Sequence, residues 1–245
     1  LFTQTDPPYT IAATGKIEGR VNLYYLKDPA CDKCNELTLL INQIKAAGVK
    51  VIEEKLIDSG SGEGKELIKK YRIDFVPAIV LSNDASVYDI MQKAWPKVGS
   101  KESDGSYVLR LPSPPFINLT TGKLRGVVDI TYLTDKSCAE CYNVSQHKEI
   151  LENPQSFAIN LEKEETFDVS DAKGKNIIAK YNITQVPTII LSDEVSVYPS
   201  NQILKQFFSV EKDGFYVFRR LSSVGNYKDL TTNQVVKALE ASQGQ

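Results

Sequence analysis

Apolar residues in this chain fall into short dense runs and longer spaced stripes, and the two textures alternate. Residues 21–26 form a dense apolar and aromatic run, the pattern of a mostly buried strand, and 127–133 repeat it. The period then changes. Cys34, Leu37, Leu40, Ile41, Ile44 and Ala47 fall on one face of a helix, which Gly48 stops. That stripe predicts Cys31 at the helix start. The second stripe is shorter, with Cys141, Val144 and Leu151 inward and an end at Asn153-Pro154. Second strands are predicted over 49–57 and 166–169, and second helices over 65–71 and 175–181. Pro77 and Pro187 open third strands, where a proline at the first position is tolerated. Asp104-Gly105 and Asp213-Gly214 signal turns before strands at 107–111 and 216–218. Residues 231–242 read as a closing helix with Val235, Val236 and Leu239 inward.

The order repeats because the sequence does. Pro7-Pro8-Tyr9, Thr14-Gly15-Lys16, Gly19 and Tyr25-Leu26 recur as Pro114-Pro115-Phe116, Thr121-Gly122-Lys123, Gly126 and Tyr132-Leu133, an offset of 107 that also relates Cys31 to Cys138 and Cys34 to Cys141. The offset is 110 for Lys70-Tyr71, Val76-Pro77 and Ser86-Val87-Tyr88, matching Lys180-Tyr181, Val186-Pro187 and Ser196-Val197-Tyr198. A period this long is a whole domain rather than a solenoid repeat. The expected domains are 1–112, with an N-terminal extension, and 113–245. Thr121-Gly122-Lys123 runs straight into the next predicted strand, so the first unit is expected to lack a closing helix. Strands alternating with helices, then a hairpin, predict an α/β fold with a mixed sheet in each unit. An extra stretch carrying Ile90, Ala94 and Val98 at helical spacing precedes the last hairpin, and 195–212 repeat it.

Composition removes several alternatives. Hydrophobic residues make up 42% and charged residues 24%, ordinary for a globular chain. A net charge of −2 gives no electrostatic case for nucleic acid. No apolar run reaches membrane-spanning length. One histidine makes His-based catalysis or a His-rich metal site improbable, and His147 is expected at the surface. No cofactor and no metal are expected. The start at Leu1 suggests a removed signal peptide or an N-terminal anchor, and so an extracytoplasmic protein. Trp95 is expected in the core of the extra stretch, and the run Glu162-Lys163-Glu164-Glu165 on a solvated face.

The only four cysteines are Cys31-Asp32-Lys33-Cys34 and Cys138-Ala139-Glu140-Cys141. Two close pairs suit local redox chemistry better than stapling. Strand, CxxC, strand, helix, Val-Pro and hairpin, twice in register, resembles the thioredoxin superfamily, and the tandem resembles its two-unit protein disulfide oxidoreductases. The resemblance implies two tandem thioredoxin-like domains, each a mixed sheet flanked by helices. It implies catalytic Cys31, Cys34, Cys138 and Cys141. It also implies cis prolines facing the pairs, with Val76, Pro77, Val186 and Pro187 meeting an extended substrate.

A helix N-terminus lowers a thiol pKa, so Cys31 and Cys138 are the expected nucleophiles and Cys34 and Cys141 the resolving thiols. Lys33 favours a thiolate while Asp32 opposes it, and Glu140 has no cationic counterpart inside the second motif, so Cys138 is expected to have the higher thiol pKa and the second pair to be the more reducing. Expected partners are cysteine-containing proteins and a membrane or soluble redox partner. Some features depart from thioredoxins. Ala30 and Ser137 stand where they carry Trp, and no Gly-Pro lies between the cysteines. Tyr25 and Tyr132 occupy the position of their buried acid, with Asp28 and Asp135 as substitutes or mere turn residues. These departures keep a second reading open, a structural or binding protein with static CxxC disulfides.

Overall fold

A computed structural model describes residues 6–238. Its contacts divide the chain into Leu1–Arg125 and Gly126–Gln245. The stretch 113–125 belongs, by its strand pairing, with the first of these.

In the first unit a hairpin of β1 (Tyr9–Thr10) and β2 (Ile17–Glu18) leads into β3 (Val21–Lys27). Then follow α1 (Thr38–Ala46), β4 (Val51–Asp58), α2 (Gly62–Tyr71), β5 (Phe75–Val76) and β6 (Ala78–Leu81). A 3-10 turn at Asn83–Val87, α3 (Asp89–Ala94), β7 (Gly99–Lys101) and β8 (Tyr107–Leu109) complete the sheet. Its order is β4-β3-β6-β8-β7. β3 runs parallel to β4 and antiparallel to β6, which makes the sheet mixed. A hairpin of β9 (Phe116–Asn118) and β10 (Lys123–Arg125) closes the unit by pairing with β5.

The second unit repeats this. β11 (Val127–Thr134), α4 (Gln146–Glu152), β12 (Asn160–Asp168) and α5 (Ala172–Tyr181) come first. β13 (Gln185–Val186), β14 (Thr188–Leu191), α6 (Asn201–Leu204), β15 (Phe208–Val210) and β16 (Tyr216–Phe218) follow. The sheet order is β12-β11-β14-β16-β15, and the hairpin β17 (Tyr227–Asp229) and β18 (Gln234–Val236) pairs with β13.

The predicted stripe is buried at Cys34, Leu37, Ile41 and Ile44, and half-buried at Leu40, but Ala47, its last residue, is exposed because it caps the end of the helix. Leu37, Ile41 and Ile44 bury one face of α1 against Val21, Leu23 and Tyr25 of β3. Gly48 ends that helix at φ +91°, a conformation open to glycine without strain. The N-cap Ser61 accepts from Gly64 N at 3.0 Å, and α2 presses so closely on the end of β4 that a Cβ on Gly64 would lie 2.2 Å from the Asp58 carbonyl. At the other end of α2, Arg110 donates to the carbonyls of Tyr71 and Arg72 at 2.6 and 2.9 Å. Arg219 does the same for Tyr181 at 2.7 Å.

The extra stretch is part of the core, not an appendage. Met91 and Trp95 face inward, while Ile90 is exposed. Tyr88 anchors its start, donating to the Gly19 carbonyl at 2.6 Å and accepting from Lys50 N at 3.0 Å. Tyr198 repeats the anchor on Gly126 and Asn160.

Two expectations fail. The closing helix over 231–242 is absent up to residue 238, and its remainder lies outside the described residues. In its place Asp229 Oδ1 accepts from Thr231 N and Thr232 N, Asn233 turns at φ +58°, and Val235 returns along Lys228. A side-chain-capped turn has outcompeted the helical spacing of two valines, which β-structure also favours. The helices after the cysteines also begin later than predicted, at Thr38 and Gln146. Among the described residues no helix is long and apolar enough to cross a membrane.

Candidate active sites

Each cysteine pair sits in a loop, not in the first turn of a helix. Asp28 Oδ1 accepts from Ala30 N at 2.9 Å and its carbonyl from Cys31 N at 3.1 Å. Asp135 does the same for Ser137 and Cys138. Asn143 makes a second such turn on Ser145 before α4. These local side-chain bonds compete with helix formation and delay it. The placement of Cys31 at a helix start is therefore corrected. The field of a helix end is confined to its first turn, and Thr38 lies beyond Cys34, so neither pair sits within that turn.

Both pairs are closed as disulfides, Cys31–Cys34 and Cys138–Cys141, with Cα atoms 5.5 and 5.4 Å apart. Cys34 is the sheltered partner at 9% exposure, while Cys31 is half-buried. Cys138 and Cys141 are both half-buried. Val76, Pro77, Val186 and Pro187 are buried, and both Val-Pro bonds are cis. In the second unit the Cys141 sulfur lies 3.9 Å from the Val186 carbonyl, so loop and proline turn meet there.

The edge beside each Val-Pro turn is occupied by the unit's own hairpin. Val76 lies opposite Ile117 and Phe75 opposite Asn118. Leu119 N donates to the Asp74 carbonyl at 2.8 Å, and the alternation of an antiparallel ladder then makes Val76 and Ile117 a hydrogen-bonded pair. In the second unit Val186 lies opposite Lys228, and Leu230 N donates to the Thr184 carbonyl at 2.8 Å. The hairpins also touch the cysteine loops. Asn35 N donates to the Pro115 carbonyl at 2.7 Å, and Tyr142 N to the Asn226 carbonyl at 2.9 Å. Each closing strand thus spans from the residue after the second cysteine to the residue before the proline.

The second site has two further ties. Lys228 Nζ reaches Asp135 Oδ2 at 2.7 Å and Ser137 Oγ at 3.1 Å, with only 14% and 6% of the Lys and Asp side chains exposed. Burial alone would raise the Asp135 pKa, but Lys228 and Ser137 outweigh it and hold the carboxyl below its ordinary value. Tyr142 donates to the Pro187 carbonyl at 2.9 Å and meets His147 Nε2 at 3.1 Å. A tyrosine has one proton to give, so this bond assigns the donor role of the second to Nε2–H.

His147 was expected at the surface and is instead 6% exposed, its ring 4.6 Å from that of Phe218. Burial pushes its pKa down to about 4. His147 follows Val144 by three residues and precedes Leu151 by four, so it lies on the same buried face of α4.

Tyr25 and Tyr132 supply no carboxylate beside the pairs. Burial raises Tyr25 to about 12, and its hydroxyl donates to Glu36 at 2.8 Å. Burial likewise raises Tyr132, bonded to Glu164. Asp28 and Asp135 serve as turn residues.

No protein-family model matches the sequence, and no curated protein matches it. Among solved structures, a mutant of the alkylhydroperoxide reductase AhpF from Enterococcus faecalis is 19% identical over 71% of this chain and 82% of its own, with a TM-score of 0.21. Full-length ERdj5 is 7% identical over 82% of this chain and 27% of its own, TM-score 0.21. Human ERp44 is 12% identical over 78% and 85%, TM-score 0.20. The strand order and mixed pairing, present twice, give the chain two tandem units of thioredoxin-like fold, and in the second of them the cysteine loop meets the Val-Pro turn.

Proposed function

We propose that this protein is a thiol–disulfide oxidoreductase acting on cysteine-containing proteins in an oxidising, extracytoplasmic setting. The observation that supports this most is the contact of the Cys141 sulfur with the carbonyl of Val186, which puts a cysteine pair against the Val-Pro turn. In the oxidising direction, a client thiolate attacks the Cys31 or Cys138 sulfur and expels Cys34 or Cys141 as a thiolate. A second client thiolate then attacks the client's own sulfur in the mixed disulfide and releases Cys31 or Cys138. The client loses two electrons and gains a disulfide, and the pair is left as a dithiol. A soluble or membrane redox partner restores it. Val76, Pro77, Val186 and Pro187 would meet a client strand once the closing strand gives up its place beside them.

Static disulfides are the second reading, and the occupied Val76 and Val186 edges favour it. Exchange separates the two. Wild-type protein should equilibrate both pairs with glutathione, and Cys31→Ser with Cys138→Ser should abolish insulin-disulfide reduction. Absence of exchange with glutathione would leave only the static reading.

A further inference from the structure

The closing hairpin occurs three times in this chain, and among the described residues two of the copies pair with a further strand. Tyr9, Thr14 and Gly15 correspond to Phe116, Thr121 and Gly122, and again to Tyr227, Thr232 and Asn233. The turn residues share one backbone conformation, with φ +68° at Gly15, +66° at Gly122 and +58° at Asn233. Strand registers agree: Tyr9 opposite Glu18, Phe116 opposite Arg125, Tyr227 opposite Val236. Yet β9 and β17 each pair outward with a strand that precedes a proline, whereas β1 and β2 form a two-stranded sheet on their own among the described residues. A lone two-stranded hairpin is marginal in water, and a bare edge invites a strand.

We propose that the outer edge of the first hairpin is a docking strand for a further thioredoxin-like unit whose Val-Pro strand carries no hairpin of its own. The other two copies define the fit. Thr10 stands where Ile117 and Lys228 stand, so it would face the partner's valine, and Ile11 the residue before it. Ala12 N corresponds to Leu119 N and Leu230 N, and it would donate to the carbonyl two residues before that valine. The Pro8 carbonyl corresponds to those of Pro115 and Asn226, and it would accept from the residue after the partner's second cysteine. A second intact copy of this protein is not the occupant, because its Val76 and Val186 edges are already filled. The inference does not depend on redox activity.

The test bares one such edge in this protein. Lys228→Pro and Leu230→Pro, each of which removes a pairing N–H of the closing strand, should each sediment at higher mass than wild type, through β1 of one copy seating on β13 of another. Adding Thr10→Pro should return both to the wild-type mass. Natively folded variants that keep the wild-type mass, or association that survives Thr10→Pro, would overturn the proposal. Hydrogen exchange on the unaltered protein gives a second check that needs no variant. The amides of Thr10 and Ala12 should exchange at least ten-fold faster than those of Ile117 and Leu119, and equal protection would show the first edge to be filled already.

Discussion

Lys228 and Asp135 form an ion pair of 2.7 Å that fastens the second unit's closing strand to the loop carrying Cys138. The first unit has Ile117 at the matching position and makes no such pair there. A hydrogen bond between charged groups contributes about 1.5 kcal/mol, or roughly ten-fold in an opening equilibrium. Lys228→Met should therefore speed dithiothreitol reduction of Cys138–Cys141 by about ten-fold and leave Cys31–Cys34 unchanged. Mass spectrometry after alkylation reads each pair separately. Unaltered rates at both would mean that the strand does not limit access.

In the first unit the backbone pairing itself covers the edge. Ile117→Pro removes the donor that meets Val76. Reduction of Cys31–Cys34 is expected to accelerate several-fold, with the second pair serving as internal control. A slower or equal rate would exclude the closing strand as a cover.

His147 makes the second unit sensitive to acid. Its folded pKa of about 4 lies below the ordinary 6.5, so between those values the unfolded chain binds more protons than the folded one. The stability it allows is complete above pH 6.5 and is lost as pH falls toward 4, to a total of about 3 kcal/mol. His147→Leu, which copies Leu40 of the first unit, should flatten the fall in melting temperature over that window. An unchanged pH profile would mean that the ring is accessible to protons in the folded state.

Gly64 and Gly174 admit no side chain. A Cβ would lie 2.2 and 1.9 Å from the carbonyls of Asp58 and Asp168. Gly64→Ala and Gly174→Ala should each destabilise their own unit by about 1–3 kcal/mol, against the usual gain from alanine in a helix. Calorimetry of the whole chain checks the sign.

Because Thr38 and Gln146 open their helices beyond the second cysteines, helix ends give little help to thiolate formation. The charges inside the loops then set the order. Thiolate absorbance of the reduced protein should rise first for Cys31, whose loop sets Lys33 against Asp32, and later for Cys138, whose loop holds Glu140 and no cation. Single-pair variants assign the two steps, and the reverse order would refute the argument.

The strands at 21–27 and 127–134 and the order of cysteine loop and Val-Pro step after them were legible because each is marked twice in register, whereas the seating of the cysteines in loops ahead of the helices was not. Dense runs such as 21–26 admit one reading when a cysteine loop and a Val-Pro step follow at fixed distances. The hairpins were not legible. Phe116 and Tyr227 begin strands of only three residues, too short to show a period. Val235 and Val236 fit a helix as well as a strand until the Asp229 turn is seen. A comparison of Leu119-Thr120-Thr121 with Leu230-Thr231-Thr232 would have exposed the repeat. The late helix starts depend on Asp28, Asp135 and Asn143 bonding their own neighbours, a choice the helical stripe does not record. His147 was misplaced because it was judged by its polarity, although it sits between Val144 and Leu151 on the buried stripe.

Each sulfur bridge encloses a ring with a sequence separation of only 3. A link that short restricts the unfolded chain little, worth about 2 kcal/mol by loop-entropy reasoning against about 4.7 for a hundred-residue loop. Opening one therefore asks little of the surrounding architecture, which is held by sheet and core. Reduction and re-oxidation of either bridge would therefore leave the scaffold standing.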